Sequence, residues 1–143
     1  MAKSINEIQD EIIEEFELFD DWIERYQLLA GYANELKQHP FPKADLTDQN
    51  LIDGCQSKVW FTAKMEGGLL YFNGESDALL VKGIVALLIH VLSGHTPQEI
   101  AKADLYFIDR IGLREHLSPT RNNGVAAMLK QMKLYALAYQ NRG

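Results

Sequence analysis

The chain contains a single cysteine, Cys55, and the residues around it in the sequence are polar. It follows Gly54 and precedes Gln56, Ser57 and Lys58, just before an apolar run typical of a strand. Functional residues often lie on loops supported by rigid elements. Gly54 lets another backbone or a substrate approach closely, and donors from Gln56 and Ser57 could stabilise a thiolate. These residues alone leave a buried structural thiol and a reactive thiol equally open.

A single thiol restricts the chemistry that this chain can perform. It excludes an internal disulfide and a cysteine-rich metal cage, so we expect no metal. A disulfide oxidoreductase usually needs a second cysteine. A Cys–His hydrolase needs an imidazole base. The candidate bases are His39, His90, His95 and His116. Sulfur transfer needs only one nucleophilic sulfur, which attacks the outer sulfur of a persulfide. A hydrolase, a sulfur acceptor and an inert structural domain all remain open.

Length, composition and charge place the chain among globular proteins. Its 143 residues are 47% hydrophobic, which favours one domain over residues 1–143. The net charge is −6, with nine acidic side chains and one basic side chain in the first 24 residues. An acidic domain repels phosphates, so we expect no nucleic-acid partner. The longest apolar run, Ala78–Leu92, contains Lys82 and is shorter than the ~20 residues of a bilayer span. We expect a cytoplasmic protein with no membrane partner.

Hydrophobic periodicity predicts the elements that position Cys55. Two helices come first, beginning at a capping box at Ser4–Glu7 and at a cap at Asp20–Asp21, and prolines end the second. A long loop then leads to Cys55, and a strand over Leu51–Asp53 could join the sheet that follows. Alternation from Val59, with Gly67–Gly68 as the turn, predicts a β-hairpin.

Helices fill the rest of the predicted fold. Ser76–Asp77 offers a cap for an apolar helix that ends at Gly94. A capping box at Thr96–Glu99 begins the next helix, a short one covers Asp104–Ile111, and an amphipathic helix ends the chain. The predicted class is α+β, with a small antiparallel β-sheet packed against helices.

Four sequence blocks resemble one known family. "GCQSKVW" at residues 54–60 closely resembles the active-site signature of the SufE-type cysteine desulfuration proteins. "NGESDALLVKGIVALL" (73–88), "TPQEI" (96–100) and "LREHLSPTRNNGVAAML" (113–129) resemble further segments of that family, in the same order. The residues at 21–36 also fit its second-helix pattern. The resemblance runs from about residue 10 to 139.

The resemblance implies a fold, a function and site residues. SufE-like proteins share their α+β fold with IscU-type scaffolds and take persulfide sulfur from a SufS-type cysteine desulfurase, which they stimulate. They pass this sulfur to iron–sulfur scaffold assembly proteins. Cys55 would be the acceptor, and Gln56 and Ser57 would position the loop. Asp77 and Arg121 would lie at the desulfurase-facing surface and the base of the active-site loop. Local alternatives remain for two of them: a helix N-cap for Asp77 and a solvated first-turn residue for Arg121.

Further expectations concern cofactors, partners and the resting loop. The pyridoxal phosphate belongs to the desulfurase, so we expect no cofactor in this chain, which would be an accessory protein rather than an enzyme. A CsdA-type desulfurase is an alternative partner that the sequence does not separate from SufS. We expect a monomer or a weak homodimer. Without its partner, the loop should tuck Cys55 into an apolar pocket and keep the thiol neutral.

Overall fold

The computed structural model describes residues 3–141, and helices and one β-hairpin make up most of this part of the chain. In chain order the elements are α1 (Ile5–Glu17), α2 (Trp22–Leu36), β1 (Val59–Glu66), β2 (Leu69–Ser76), α3 (Leu79–Leu92), α4 (Pro97–Lys102), α5 (Phe107–Arg110), α6 (Leu113–His116) and α7 (Pro119–Asn141). The predicted α+β class is confirmed.

The first two helices begin where the sequence predicts. The Ser4 hydroxyl accepts a hydrogen bond from the Glu7 amide at 3.1 Å, and the Glu7 carboxylate accepts one from the Ser4 amide at 3.1 Å. This reciprocal capping box satisfies two amides at the start of α1. The Asp21 carboxylate caps α2 by accepting from the Ile23 amide at 2.9 Å. α2 ends at Leu36, before the first proline of the following loop.

The predicted hairpin forms with its turn at the two glycines. β1 and β2 pair in antiparallel register from Val59↔Ser76 to Glu66↔Leu69. Gly67 and Gly68 have φ angles of 60° and 82°, which glycine adopts without steric cost. The strand predicted over Leu51–Asp53 is reduced to one bridge between Leu51 and Trp60. The polar residues before it form two short 3-10 turns.

Both outer edges of the hairpin are covered by other parts of the chain. On β1, the hydroxyls of Tyr135 and Tyr139 donate to the carbonyls of Phe61 and Ala63 at 3.3 and 3.2 Å. β2 is hydrogen-bonded to the turn after α3, residues 93–95. Since unpaired strand edges invite pairing with other chains, this covering protects the sheet.

Helix α3 is the central element and packs tightly on both sides. A Cβ atom at Gly83 would lie 2.6 Å from the Leu29 carbonyl oxygen on α2. A Cβ atom at Gly74 on β2 would lie 2.7 Å from a Val85 methyl. Glycine at these positions therefore allows α2 and β2 to approach α3 closely. Nine of the fourteen residues of α3 are buried, which explains its continuous apolar sequence.

The carboxy-terminal half follows the predicted order with altered bounds. The Thr96 capping box begins α4, with both reciprocal hydrogen bonds at 3.1 Å. The helix predicted over Asp104–Ile111 is shorter in the structure, where α5 covers only Phe107–Arg110. The one-turn helix α6 was not predicted. Gly112, at φ 75°, separates the two. No helix within residues 3–141 combines the length and apolar character needed to cross a bilayer.

Candidate functional site

Cys55 lies on a short loop whose two ends are fixed by hydrogen bonds. Before the loop, the Ile52 amide donates to the Val59 carbonyl at 2.8 Å. After it, the Lys58 amide donates to the Asp77 carboxylate at 3.0 Å, and the Asp77 amide donates to the Lys58 carbonyl at 3.2 Å. Only residues 53–57 lie between these anchors, so the thiol is at the middle of a five-residue span.

The thiol is half-buried against the first turns of α7. Its S–H group donates to the Gly124 carbonyl, with 3.5 Å between sulfur and oxygen. Beside the sulfur is a cavity of about 20 Å³, enough for one water-sized occupant. Its walls are mainly apolar side chains from α3 and α7. The residues around it are Cys55, Gln56, Ser57, Val81, Ile84, Arg121, Gly124, Val125 and Met128.

Two glycines allow the loop to lie directly on α7. Gly54 has a φ angle of 89°, where a side chain would be strained, and its Cβ position would lie 3.5 Å from the Ala127 methyl. A Cβ atom at Gly124 would lie 3.4 Å from the Cys55 sulfur. Both distances are ordinary van der Waals contacts, so glycine is required at position 54 for its backbone angle rather than for space.

Burial sets the ionisation of the thiol. Because desolvation disfavours the thiolate, burial raises the pKa of Cys55 above the ordinary value for cysteine. The resting thiol is therefore largely protonated near neutral pH, and a protonated thiol is a poor nucleophile. The reactive form requires either a more polar environment or a partner that supplies one.

Gln56, Ser57 and Arg121 lie around the same cavity as Cys55. Arg121 is half-buried in the first turn of α7, and its backbone amide donates to the Ser118 hydroxyl at 3.2 Å. Arg121 therefore lies beside the cavity while it stays partly exposed to solvent, and its role stays a prediction. The structure brings these three polar side chains together with the thiol.

Asp77 does not cap α3, so the N-cap alternative for this residue is wrong. The N-cap is Ala78, which has no side chain able to cap, and the Ser76 hydroxyl accepts from the Ala78 amide at 3.3 Å. The Asp77 carboxylate is instead bound to the Lys58 amide, 19 residues earlier in the chain. Asp77 therefore holds the exit of the Cys55 loop against the start of α3.

The four histidines lie elsewhere, and none of them is among the described residues around the Cys55 cavity. His95 is buried and bonded to the carbonyls of Leu92 and Lys3, at 3.3 and 2.9 Å. The His116 ring stacks on Trp22, with 3.7 Å between centroids.

The other two histidines line a separate cleft of about 600 Å³ between α2, α3 and the hairpin. These are His39 and His90, and the second has its Nδ1 atom 4.0 Å from the Glu35 carboxylate. The Cys–His pair that the alternative hydrolase would need is therefore not seen among the residues described. Nor is any group of three or more histidine, cysteine or acidic residues within 3–141 arranged to hold a metal ion.

Sequence reasoning missed the walls of the cavity. Val81 and Ile84 were expected only as part of an apolar helix, and Val125 and Met128 only as an amphipathic face. Gly124 lies in the segment that resembles the family, yet its contact with the thiol was not foreseen. The signal was present in the "RNNG" string, where a glycine within a helix suggests close approach of another backbone.

Comparisons with known proteins identify the family of this chain. The family model for the SufE Fe–S metabolism associated domain matches residues 10–136. An uncharacterised SufE-like protein of Rhizobium meliloti is 38% identical over 129 residues, which are 87% of this chain and 91% of the relative. Another, from Synechocystis, is 40% identical over 129 residues, covering 90% of this chain and 80% of the relative.

The fold also matches a solved structure. The solution structure of a hypothetical protein from Thermus thermophilus has a TM-score of 0.77, covers 94% of this chain and 96% of its own, and is 24% identical. At that identity the match supports the fold alone. The sequence matches go further, and they show that the chain belongs to the SufE family of domains associated with Fe–S metabolism.

Proposed function

We propose that this protein accepts sulfur on Cys55 from the persulfide of a SufS-type cysteine desulfurase and delivers it to iron–sulfur cluster assembly. The observation that carries the proposal is the lone thiol at the middle of a short anchored loop, set above a cavity lined by Gln56, Ser57 and Arg121. The family assignment supports the same role.

The transfer balances as a thiol–persulfide exchange. The Cys55 thiolate attacks the outer sulfur of the donor persulfide, forming a new S–S bond on Cys55. The S–S bond of the donor breaks, and its electron pair leaves with the donor cysteine as a thiolate. The proton lost by Cys55 neutralises that thiolate, so the exchange needs no oxidant, reductant or cofactor in this chain.

The resting geometry supports a protected acceptor. A protonated, half-buried thiol reacts slowly with oxidants, because susceptibility follows thiolate character and exposure. Docking of the desulfurase would shift the loop from α7 towards the donor, since a partner stabilises the conformation that it binds best. The fixed ends at Ile52 and Lys58 keep this movement within residues 53–57.

Two alternatives to this proposal differ in how well they fit the site: a CsdA-type donor fits equally well, and a Cys–His hydrolase fits less well. A CsdA-type desulfurase would use the same exchange, and both donors satisfy this site. A Cys–His hydrolase needs an imidazole within reach of the sulfur. The four histidines lie away from the cavity that Cys55 lines, so the hydrolase has less support.

The proposal is tested by loading and stimulation assays with a purified desulfurase. Wild-type protein incubated with desulfurase and cysteine should gain one sulfur atom on Cys55 in intact-mass spectrometry, and it should accelerate sulfide release. The variant Cys55→Ser and wild-type protein blocked by alkylation are the controls, and both should remain unloaded and fail to stimulate. Full stimulation by Cys55→Ser would refute the relay.

A further inference from the structure

An apolar groove lies between α2 and the first turn of α3. Its volume is about 210 Å³, and it is lined by Tyr26, Leu29, Ala30, Leu79 and Leu80. Leu79 is 66% exposed and Tyr26 is 39% exposed. We call this surface the α2–α3 groove. Large apolar side chains left in water around one concave site mark a surface for binding.

The exposed apolar surface continues along α2. Ile23 is 67% exposed and lies three residues before Tyr26 and seven before Ala30, so the three share one helical face. This face borders the buried side of α2, where Leu29 and Ala33 lie, while Ile23 and Tyr26 stay exposed. Nothing in residues 3–141 covers Ile23 or Leu79, so the stripe is available to a partner.

Charges of both signs lie near the groove. Glu24 and Arg25 lie between Ile23 and Tyr26, and the Asp77 carboxylate is bonded to the backbone of the exposed Lys58. Lys82 lies 3.0 Å from the Glu75 carboxylate. The apolar lining of the groove, rather than a net charge, therefore determines what it can bind.

The groove and the Cys55 site lie at the same end of α3. Leu79 and Leu80 in the first turn of α3 line the groove. Val81 and Ile84, which follow on the same helix, line the cavity beside Cys55. A protein that covers this end of α3 would therefore contact both.

We propose that the α2–α3 groove is a docking site for the sulfur donor, and that it receives an exposed apolar side chain of that protein. The inference rests on the function proposed above and adds a specific anchor to it. Burial of one apolar anchor in a pocket often dominates the affinity of an interface. The groove would hold the donor while the Cys55 loop moves.

The test compares two exposed leucines, one at the groove and one on α7. Leu79→Ser removes an apolar wall of the groove, and Leu134→Ser on α7, where the leucine is 47% exposed, is the matched control. Desulfurase stimulation is measured against the concentration of each variant. Leu79→Ser should raise the half-maximal concentration about tenfold with an unchanged maximum, while Leu134→Ser should match wild type.

A second measurement separates docking from damage to the Cys55 site. Loading of Cys55 by inorganic polysulfide needs no protein donor, so Leu79→Ser and wild type should be loaded at the same rate. A lowered rate with polysulfide would show that Leu79 supports the loop rather than the donor, and would overturn the proposal. Equal half-maximal concentrations for Leu79→Ser and wild type would overturn it too.

The remaining outcomes identify other occupants or a failure of the function itself. If wild-type protein forms a dimer in sedimentation that Leu79→Ser abolishes, a second copy fills the groove and the donor does not. If wild-type protein is never loaded by the desulfurase, the proposed function fails first. That result is distinct, because it appears without any substitution in the groove.

Discussion

Cys55 lies on a loop, but the side chains around its sulfur atom are mainly apolar. Its loop is anchored on both sides, and its sulfur lies against Gly124 of α7. This contact supplies only one weak hydrogen bond, whereas burial withdraws solvent from the thiolate. The environment therefore favours storage of a neutral thiol over nucleophilic attack.

The ionisation of Cys55 can be measured directly, because it is the only thiol in the chain. Since burial raises the pKa of Cys55, the rate of alkylation by iodoacetamide should reach half its maximum at a higher pH in folded protein than in urea-unfolded protein. Mass spectrometry of the alkylated product gives this rate across a pH series. Equal midpoints would contradict the burial argument.

The same shift links stability to pH. The raised pKa means that the folded state holds the thiol proton more tightly than the unfolded state does. This contribution to the free energy of unfolding is complete below the ordinary cysteine pKa. It declines as the pH rises through the pKa of the folded state.

At this scale the sequence predicts which residue matters but not what surrounds it. The resemblance around "GCQSKVW" singles out Cys55, and its polar neighbours indicate a loop. The apolar walls come from α3 and α7, far along the chain, and no local pattern connects them with the thiol. The resemblance places Asp77 among the residues at the desulfurase-facing surface and the base of the loop. Its hydrogen bond with the Lys58 amide, 19 residues earlier in the chain, is not visible in any local pattern.

Helix α3 determines how the other elements are placed. It contacts α2, β2 and α7, and its amino-terminal turn separates the α2–α3 groove from the Cys55 cavity. The contact with α2 depends on Gly83, since a side chain there would meet the Leu29 carbonyl. This backbone oxygen cannot move aside without displacing α2 itself.

Two glycine-to-alanine substitutions test this packing. Gly83→Ala should destabilise the protein by about 1–3 kcal/mol, because its Cβ atom would be 2.6 Å from the Leu29 oxygen. Gly31→Ala, in the middle of α2 with no atom within 4 Å of the new methyl, should stabilise it by about 0.5–1 kcal/mol. Urea unfolding measures both. A stable Gly83→Ala protein would show that α2 and α3 can separate without cost.

At the scale of elements, short sequence patterns correctly predicted the helix caps and the hairpin turn. The capping boxes at Ser4 and Thr96 and the Gly67–Gly68 turn are short-range patterns, and each appears in the structure. The strand predicted at Leu51–Asp53 is only one bridge, and the separate helix α6 was not predicted. Both features are too short for hydrophobic periodicity to identify.

The whole molecule is electrostatically uneven. Nine of its acidic residues lie in the first 24 positions, which span α1 and the start of α2, and α7 carries no acidic residue. Helix α2, which begins within these 24 positions, lines one side of the α2–α3 groove. A field of one sign attracts an oppositely charged surface and accelerates association. Oligomeric state and cellular compartment remain predictions.

Salt should therefore weaken the functional encounter. Raising the ionic strength shortens the range of charge interactions to less than about 10 Å, so the half-maximal concentration for desulfurase stimulation should rise about tenfold. The variant Glu24→Gln, beside the groove, should show a smaller salt effect than Glu115→Gln on α6. A stimulation curve that does not change with salt would rule out electrostatic attraction as a contributor.

The anchored ends of the Cys55 loop limit its reach. Three peptide units join Cys55 to Ile52, and a fully extended chain covers about 10 Å over that distance. Cys55 therefore cannot reach a donor sulfur atom that is buried more deeply than this below the surface of the donor. Any enzyme that loads this protein must therefore expose its persulfide near its own surface, or offer a mouth wide enough to admit the loop.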